Sequence, residues 1–176
     1  MNLPEPVGAL LGLDGAGLRG AMAKGHPLEA TSLAGQAYLG ISLGLPRWVD
    51  SVLWKTFVKV FDEERDGVVR GWNVRMAQAG VDGPHAPLRN HKGRVRSFGH
   101  FCLRQRPDHA LELDYGLVGI CDPLVAIRSG STAMLLGRTL LTCGPFRLPT
   151  PSHFALLRIE DSALNEELMD REPASC

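Results

Sequence analysis

From Gly35 onward the chain is a succession of short runs of β-branched, aromatic and aliphatic residues, each stopped by Gly, Pro, Asn or Asp. "GQAYLGISLGLP" is the first, and Pro46 ends it. "WKTFVKVF" and "VVRGWNVRM" flank "DEERDG", two β-rich runs around an Asp-Gly turn, which signals a hairpin because Asp-Gly accepts positive φ at both central positions. "RSFGHFCLRQ", "ALELDYGLVG", "PLVAIRSG", "AMLLGRTLLTCG" and "PSHFALLRIE" follow. Short apolar runs with turn residues between them and no helical crossovers predict an antiparallel sandwich or barrel.

The flanks differ in texture. Residues 1–34 are rich in Gly, Ala and Leu. Leu10, Leu11, Leu18 and Met22 mark one helical face, but Gly12, Gly15, Gly17 and Gly20 each weaken a helix by about 1 kcal/mol. A short broken helix or a loose glycine-rich arm is expected, one free to fold over a barrel mouth. "PRWVDSVLW" has Pro at a first helical position and Trp48, Val49, Val52 and Leu53 at helical spacing, so a short helix is expected after the first strand. Residues 77–96 read as a long loop or a wide hairpin connection. "SALNEELMD" reads as a terminal helix capped by Ser162. The expected organisation is an N-terminal arm over 1–34, one β domain over 35–160, and an acidic tail or short helix over 161–176.

Asp14-Gly-Ala-Gly-Leu-Arg-Gly20 invites two specific readings. Gly15-x-Gly17-x-x-Gly20 matches the dinucleotide fingerprint, and the whole stretch resembles the oxyanion loop of patatin-like lipases. The first needs a strand before it, a helix after it and parallel βαβ neighbours. The second needs a G-x-S-x-G nucleophile elbow, which neither "ATSLAG" nor "RSGSTAM" supplies. Both need an α/β sheet that this chain does not encode.

Charge excludes other classes. Nineteen basic and nineteen acidic residues cancel, so no global field draws in nucleic acid or an anionic membrane. Arg89, Lys92, Arg94, Arg96, Arg104 and Arg106 fall close together, but only Phe98 and Phe101 interleave them, so they read as solvated surface. His85, His91 and His100 lack metal-site spacing, and no cofactor motif is present. No apolar run approaches the ~20 residues that span a bilayer. No leader pattern opens the chain, and Cys102, Cys121, Cys143 and Cys176 form no C-x-x-C pair. A reduced, cytoplasmic protein with cysteines as small hydrophobes is expected, a cross-strand disulfide being the alternative.

The order of runs resembles the lipocalin-like, or calycin, barrels, and more closely bacterial domains of unknown function whose first strand carries Gly-x-Trp-x-Gly. Those domains continue with a helical segment, an aromatic strand ending in Lys-x-Phe, an Asp-start strand, a Leu-Leu-Gly strand and a last strand of the form Phe-x-Leu-x-Arg. The counterparts here are "QAYLG" from Gln36, "WKTFVKVF" from Trp54, "DPLVAI" from Asp122, "LLG" from Leu135 and "FALLR" from Phe154 to Arg158. Gln36 stands for the first glycine and Tyr38 for the tryptophan. The resemblance implies a mainly β fold, an up-and-down barrel of about eight strands. It also implies that Tyr38 meets Arg158 as the lipocalin tryptophan meets its last-strand arginine, and that the interior takes a small hydrophobic molecule.

Alternation then assigns an interior. Val68, Arg70, Trp72, Val74 and Met76 share the more apolar face of their run and are expected to point inward, as are Leu111, Leu113 and Tyr115, with Glu112 and Asp114 outward. Met134, Leu136, Arg138 and Leu140 share a face, as do His153, Ala155 and Leu157. The run 97–104 is ambiguous, with Phe98, His100, Cys102 and Arg104 opposing Gly99, Phe101 and Leu103. An inward arginine must be paired or bind an anion, which points to an acidic or carbonyl-bearing ligand. The candidate ligand-binding residues are Arg70, Trp72, Arg104, Arg138 and His153. His100 is the candidate general acid or base, and Tyr115 the donor to a developing enolate. Two functions share this site: a protein that binds a small hydrophobic ligand, or a cofactor-independent cyclase, isomerase or dehydratase. A homodimer is compatible with either.

Overall fold

The computed structural model of the chain describes residues 5–45, 55–77, 86–106, 110–116, 119–129 and 132–169. Helices α1 (Glu5–Leu11) and α2 (Gly15–Ala23) and a 3-10 turn (Ala30–Leu33) precede eight strands. These are β1 (Gln36–Leu43), β2 (Thr56–Phe61), β3 (Arg70–Arg75), β4 (Ser97–Gln105), β5 (Leu111–Asp114), β6 (Ile120–Ser129), β7 (Thr132–Cys143) and β8 (Phe146–Arg158), with helix α3 (Ser162–Met169) last. Each strand pairs antiparallel with the next, and β8 returns to β1, so the sheet is a closed up-and-down barrel without edges. The helix expected over "PRWVDSVLW" lies outside the described residues.

The Asp-Gly hairpin forms as its residues predict. Asp66 and Gly67 have φ of 55° and 75°, and Arg65 and Val68 exchange both backbone hydrogen bonds at 3.1 and 3.0 Å. Tyr38 and Arg158 are direct cross-strand partners between β1 and β8.

The N-terminal segment is more ordered than its glycines suggest. Asp14 opens α2, its side chain accepting the Gly17 N–H at 2.8 Å. The glycine pattern therefore belongs to a capped helix. Tertiary packing outweighs the low helix propensity: Leu18, fully buried, joins Val7 and Leu10 against Ile41, Leu43, Met134, Leu136 and Ala155 on the outer face of the barrel. The backbones of His26 and Ala126 exchange hydrogen bonds at 2.8 and 2.9 Å, and Leu33 then packs into the barrel interior.

The C-terminal helix covers a second outer face. Asp161, rather than Ser162, caps it by accepting the Leu164 N–H at 3.1 Å. Asn165 accepts the Ala37 N–H at 3.0 Å, and Leu168 is buried with Leu39, Val58, Val60, Trp72 and Val74. Strands β1 to β3 thus bury both faces, which is why they lack a clean apolar/polar alternation.

The interior is set by an unusual pairing. Gly40 faces Phe57, Gly71 faces Phe101, and Gly137 faces Phe154 across adjacent strands. A Cβ on any of these glycines would overlap the ring opposite it. The three rings therefore lie across their neighbouring strands instead of projecting straight into the barrel.

Cys121 is buried and Cys143 exposed, and both are free. Among the described residues no helix is long and apolar enough to cross a membrane.

Gly40→Val and Gly137→Val should each lower stability by about 1–3 kcal/mol through overpacking. Gly20→Ala, at an exposed α2 position with open space around it, should raise it by about 1 kcal/mol. Urea denaturation of the three variants checks this contrast.

Candidate functional site

On β2, Val58 and Val60 point outward into the cluster under α3, so Phe57, Lys59 and Phe61 point inward. A lysine is thereby placed inside the barrel, 3% exposed. Its amine Nζ donates to Asn73 Oδ1 at 2.9 Å, to the Tyr115 hydroxyl oxygen at 2.5 Å and to Asp122 Oδ2 at 3.4 Å. The Tyr115 hydroxyl in turn donates to Asp122 Oδ2 at 2.9 Å. Asn73 sits opposite Lys59 in the β2–β3 register, and its amide donates to the Gly99 carbonyl at 2.9 Å, which turns its oxygen toward the lysine.

Four aromatic rings surround the same amine. Nζ lies 4.9 Å from the ring centre of Phe154, 5.3 Å from those of Phe101 and Tyr115, and 5.4 Å from that of Phe57. Each distance is within the range of cation–π attraction. Three of these rings are the ones seated over glycines. Edge-to-face contacts of Phe57 with Phe154 and of Phe101 with Tyr115 keep them in place.

Burial pushes the Lys59 amine below the ordinary lysine range, opposed by the charge of Asp122 and its hydrogen bond. Burial, and next the Asp122 charge, push the Tyr115 phenol well above its ordinary value, so it serves as a neutral hydrogen-bond donor. Asp122 is itself buried, and its second oxygen, Oδ1, has no hydrogen-bond partner among the described residues. Phe57 and Tyr115 are only partly buried, so this is the side on which the cluster reaches toward the surface.

Of the seven candidate residues from the sequence, only Tyr115 joins this cluster; Leu111 and Leu113 point inward beside it as expected. Trp72 is buried on the outer face among the residues that pack with Leu168, its indole N–H without a partner among the described residues, and Arg70 shares that outward face, partly exposed. His153 is fully buried on the outer face beside Leu18, its Nδ1 2.9 Å from the Pro151 carbonyl. Arg138 points outward and donates to the Thr150 carbonyl at 3.1 Å. Arg104 is exposed and paired with Asp114 at 2.8 Å, and His100 is exposed. These six fall outside because helices α1, α2 and α3 cover much of the barrel. The more apolar face of a strand is then no guide to its interior. In addition, one extra residue of β4 between Phe98 and Phe101 shifts its register.

Lys59, Asn73 and Asp122 were missed as site residues, although two of them carried a signal. Lys59 is the lysine of the Lys-x-Phe motif, standing between two inward phenylalanines, and Asp122 begins the Asp-start strand. Compared with protein-family models, with curated proteins and with solved structures, the chain has no match.

Two expectations follow. The chain has two tyrosines, and burial raises the pKa of both Tyr38 and Tyr115. Their phenols should ionise at higher pH in the folded protein than in the urea-unfolded chain, Tyr115 more so than Tyr38, and ultraviolet titration of the two states checks this. An acid with a raised folded pKa contributes stability that is complete below its unfolded value near 10 and is lost above it. Secondly, Lys59→Met should cost about 3–5 kcal/mol, because it strands the buried Asp122 carboxylate. Lys59→Met with Asp122→Leu should recover more than half of that loss in urea denaturation.

Proposed function

We propose that this chain binds a small hydrophobic molecule with an oxygen-bearing polar end inside its barrel, where Lys59 and Tyr115 can donate to a carbonyl or carboxyl oxygen and Asp122 can accept from a hydroxyl. The observation that carries this reading is the unpartnered Asp122 Oδ1 in the midst of that cluster. A buried acceptor left without a donor costs about 1–3 kcal/mol, and such orphans in native folds call for a specific explanation. A purely structural role for the cluster accounts for it poorly. Replacing a buried ion pair by apolar side chains is often neutral or stabilising, so stability alone gives little reason to keep Lys59 and Asp122. An apolar wall with a few convergent polar groups is the usual build of a small-molecule site. The Phe57, Phe101 and Phe154 rings supply that wall. This is also the function that the lipocalin-like resemblance implies.

The hydrogen-bonded series Lys59, Tyr115 and Asp122 favours a second reading on the same site. These groups can move a proton to or from a bound carbonyl compound, as a cofactor-independent isomerase, cyclase or dehydratase would require.

Native and denaturing mass spectrometry of the purified chain should show a co-purified apolar carbonyl compound or acid. Octanol, octanoic acid and benzyl alcohol, added at a hundred times their Kd, should stabilise the fold by about 2.7 kcal/mol, about 5–10 °C in Tm for a chain of this size. A chain that carries nothing and whose Tm moves with none of these compounds overturns the binding reading.

A further inference from the structure

We propose that Lys59 is a nucleophilic amine that condenses with a small apolar aldehyde or ketone inside the barrel to form an imine. This rests on the binding reading above and names its substrate class. The chain has four lysines. Lys24 and Lys92 are exposed and Lys55 is partly exposed, while Lys59 alone points into the apolar interior. A lysine desolvated in an apolar site retains more of its neutral, nucleophilic form at neutral pH than a surface lysine does. The direction in which burial moves the Lys59 amine agrees with this.

The surrounding groups fit each stage. The Nζ lone pair attacks the carbonyl carbon, a C–N bond forms, and the C=O π electrons pass to oxygen. Tyr115, whose hydroxyl lies 2.5 Å from Nζ, gives its proton to that oxygen. One Nζ proton passes to Asp122 and from there restores Tyr115, 2.9 Å away. The result is a carbinolamine, whose hydroxyl can donate to the unpartnered Asp122 Oδ1. The nitrogen lone pair then expels that hydroxyl, which takes up the Tyr115 proton and leaves as water, and the iminium returns its N–H proton through Asp122 to Tyr115 to give the imine. In sum, amine and carbonyl give imine and water, with no oxidant, reductant or co-reactant. The iminium carries its positive charge where the ammonium had it, facing the same four rings. Phe57 and Tyr115, which border the amine and reach partly to the surface, mark the direction of approach.

The test is reductive trapping on the full chain. The protein is incubated at neutral pH with benzaldehyde or octanal and sodium cyanoborohydride, which reduces an imine to a stable secondary amine. Intact mass and peptide mapping then locate the adduct. One adduct per chain, on Lys59, formed about tenfold faster than on Lys24, Lys55 or Lys92, is expected. Benzyl alcohol or octanol, which cannot form an imine, should slow it by competition. The Lys59→Met/Asp122→Leu variant, shown to be folded by circular dichroism, should retain only the slow surface labelling. Because the peptide map of the unmodified chain locates the adduct directly, the test does not depend on that variant folding. Labelling confined to the surface lysines, while the alcohols still raise Tm, overturns the imine and leaves the binding reading standing. Loss of both the labelling and the Tm shift overturns both.

Discussion

A single lysine amine in the middle of an apolar barrel is the constraint around which this structure is arranged. An unpaired charge cannot be buried there without titrating away or disrupting the fold. Here it has a carboxylate, a phenol, an amide oxygen and four ring faces within reach. Those partners come from strands β2, β3, β4, β5, β6 and β8, with Tyr115 just past the end of β5. The lysine can be satisfied only once nearly the whole circumference has closed, so its solvation and the completion of the barrel are one event. Local segments cannot provide it.

The glycine–phenylalanine pairs serve the same end from the opposite side. A phenylalanine pointing straight inward would take the space that the amine occupies. Laid across a neighbouring strand at Gly40, Gly71 or Gly137, each ring turns toward the amine and fills the gap left by the missing side chain. Shape and electrostatics are therefore set by the same six residues.

These arrangements were unequally legible in the residues. Strand existence and order, the Asp66-Gly67 turn, and the inward set Leu111, Leu113 and Tyr115 follow from local pattern, because each depends on neighbours in sequence. The interior of β3 and β8 did not follow. Trp72 and His153 are as buried as any core residue, yet they are buried against helices outside the barrel, and no strand-level pattern distinguishes the two kinds of burial. Asn73, directly opposite Lys59, looks like an ordinary polar residue between a tryptophan and a valine until β3 is paired with β2. Lys59 and Asp122 were visible as motif residues but not as partners, since 63 positions separate them and only the closed sheet brings them together. Even the glycine-rich N-terminus was read correctly only in part. Of Leu10, Leu11, Leu18 and Met22, Leu11 is exposed and the others lie on two helices, and the surface that holds them comes from β1, β7 and β8.

The two outer apolar faces impose an order on biosynthesis. The face made by β1 to β3 is complete once residue 75 has been made, but its cover, Leu168 of α3, comes near the end of the described chain. On the other covered face the order is reversed: the cover, α1 and α2, emerges first and must wait for β7 and β8 to supply the sheet beneath it. Because β8 also closes the barrel against β1, a nascent chain on the ribosome would hold two unsealed apolar surfaces until its last quarter is translated. Such a chain would need shielding during synthesis far more than after release.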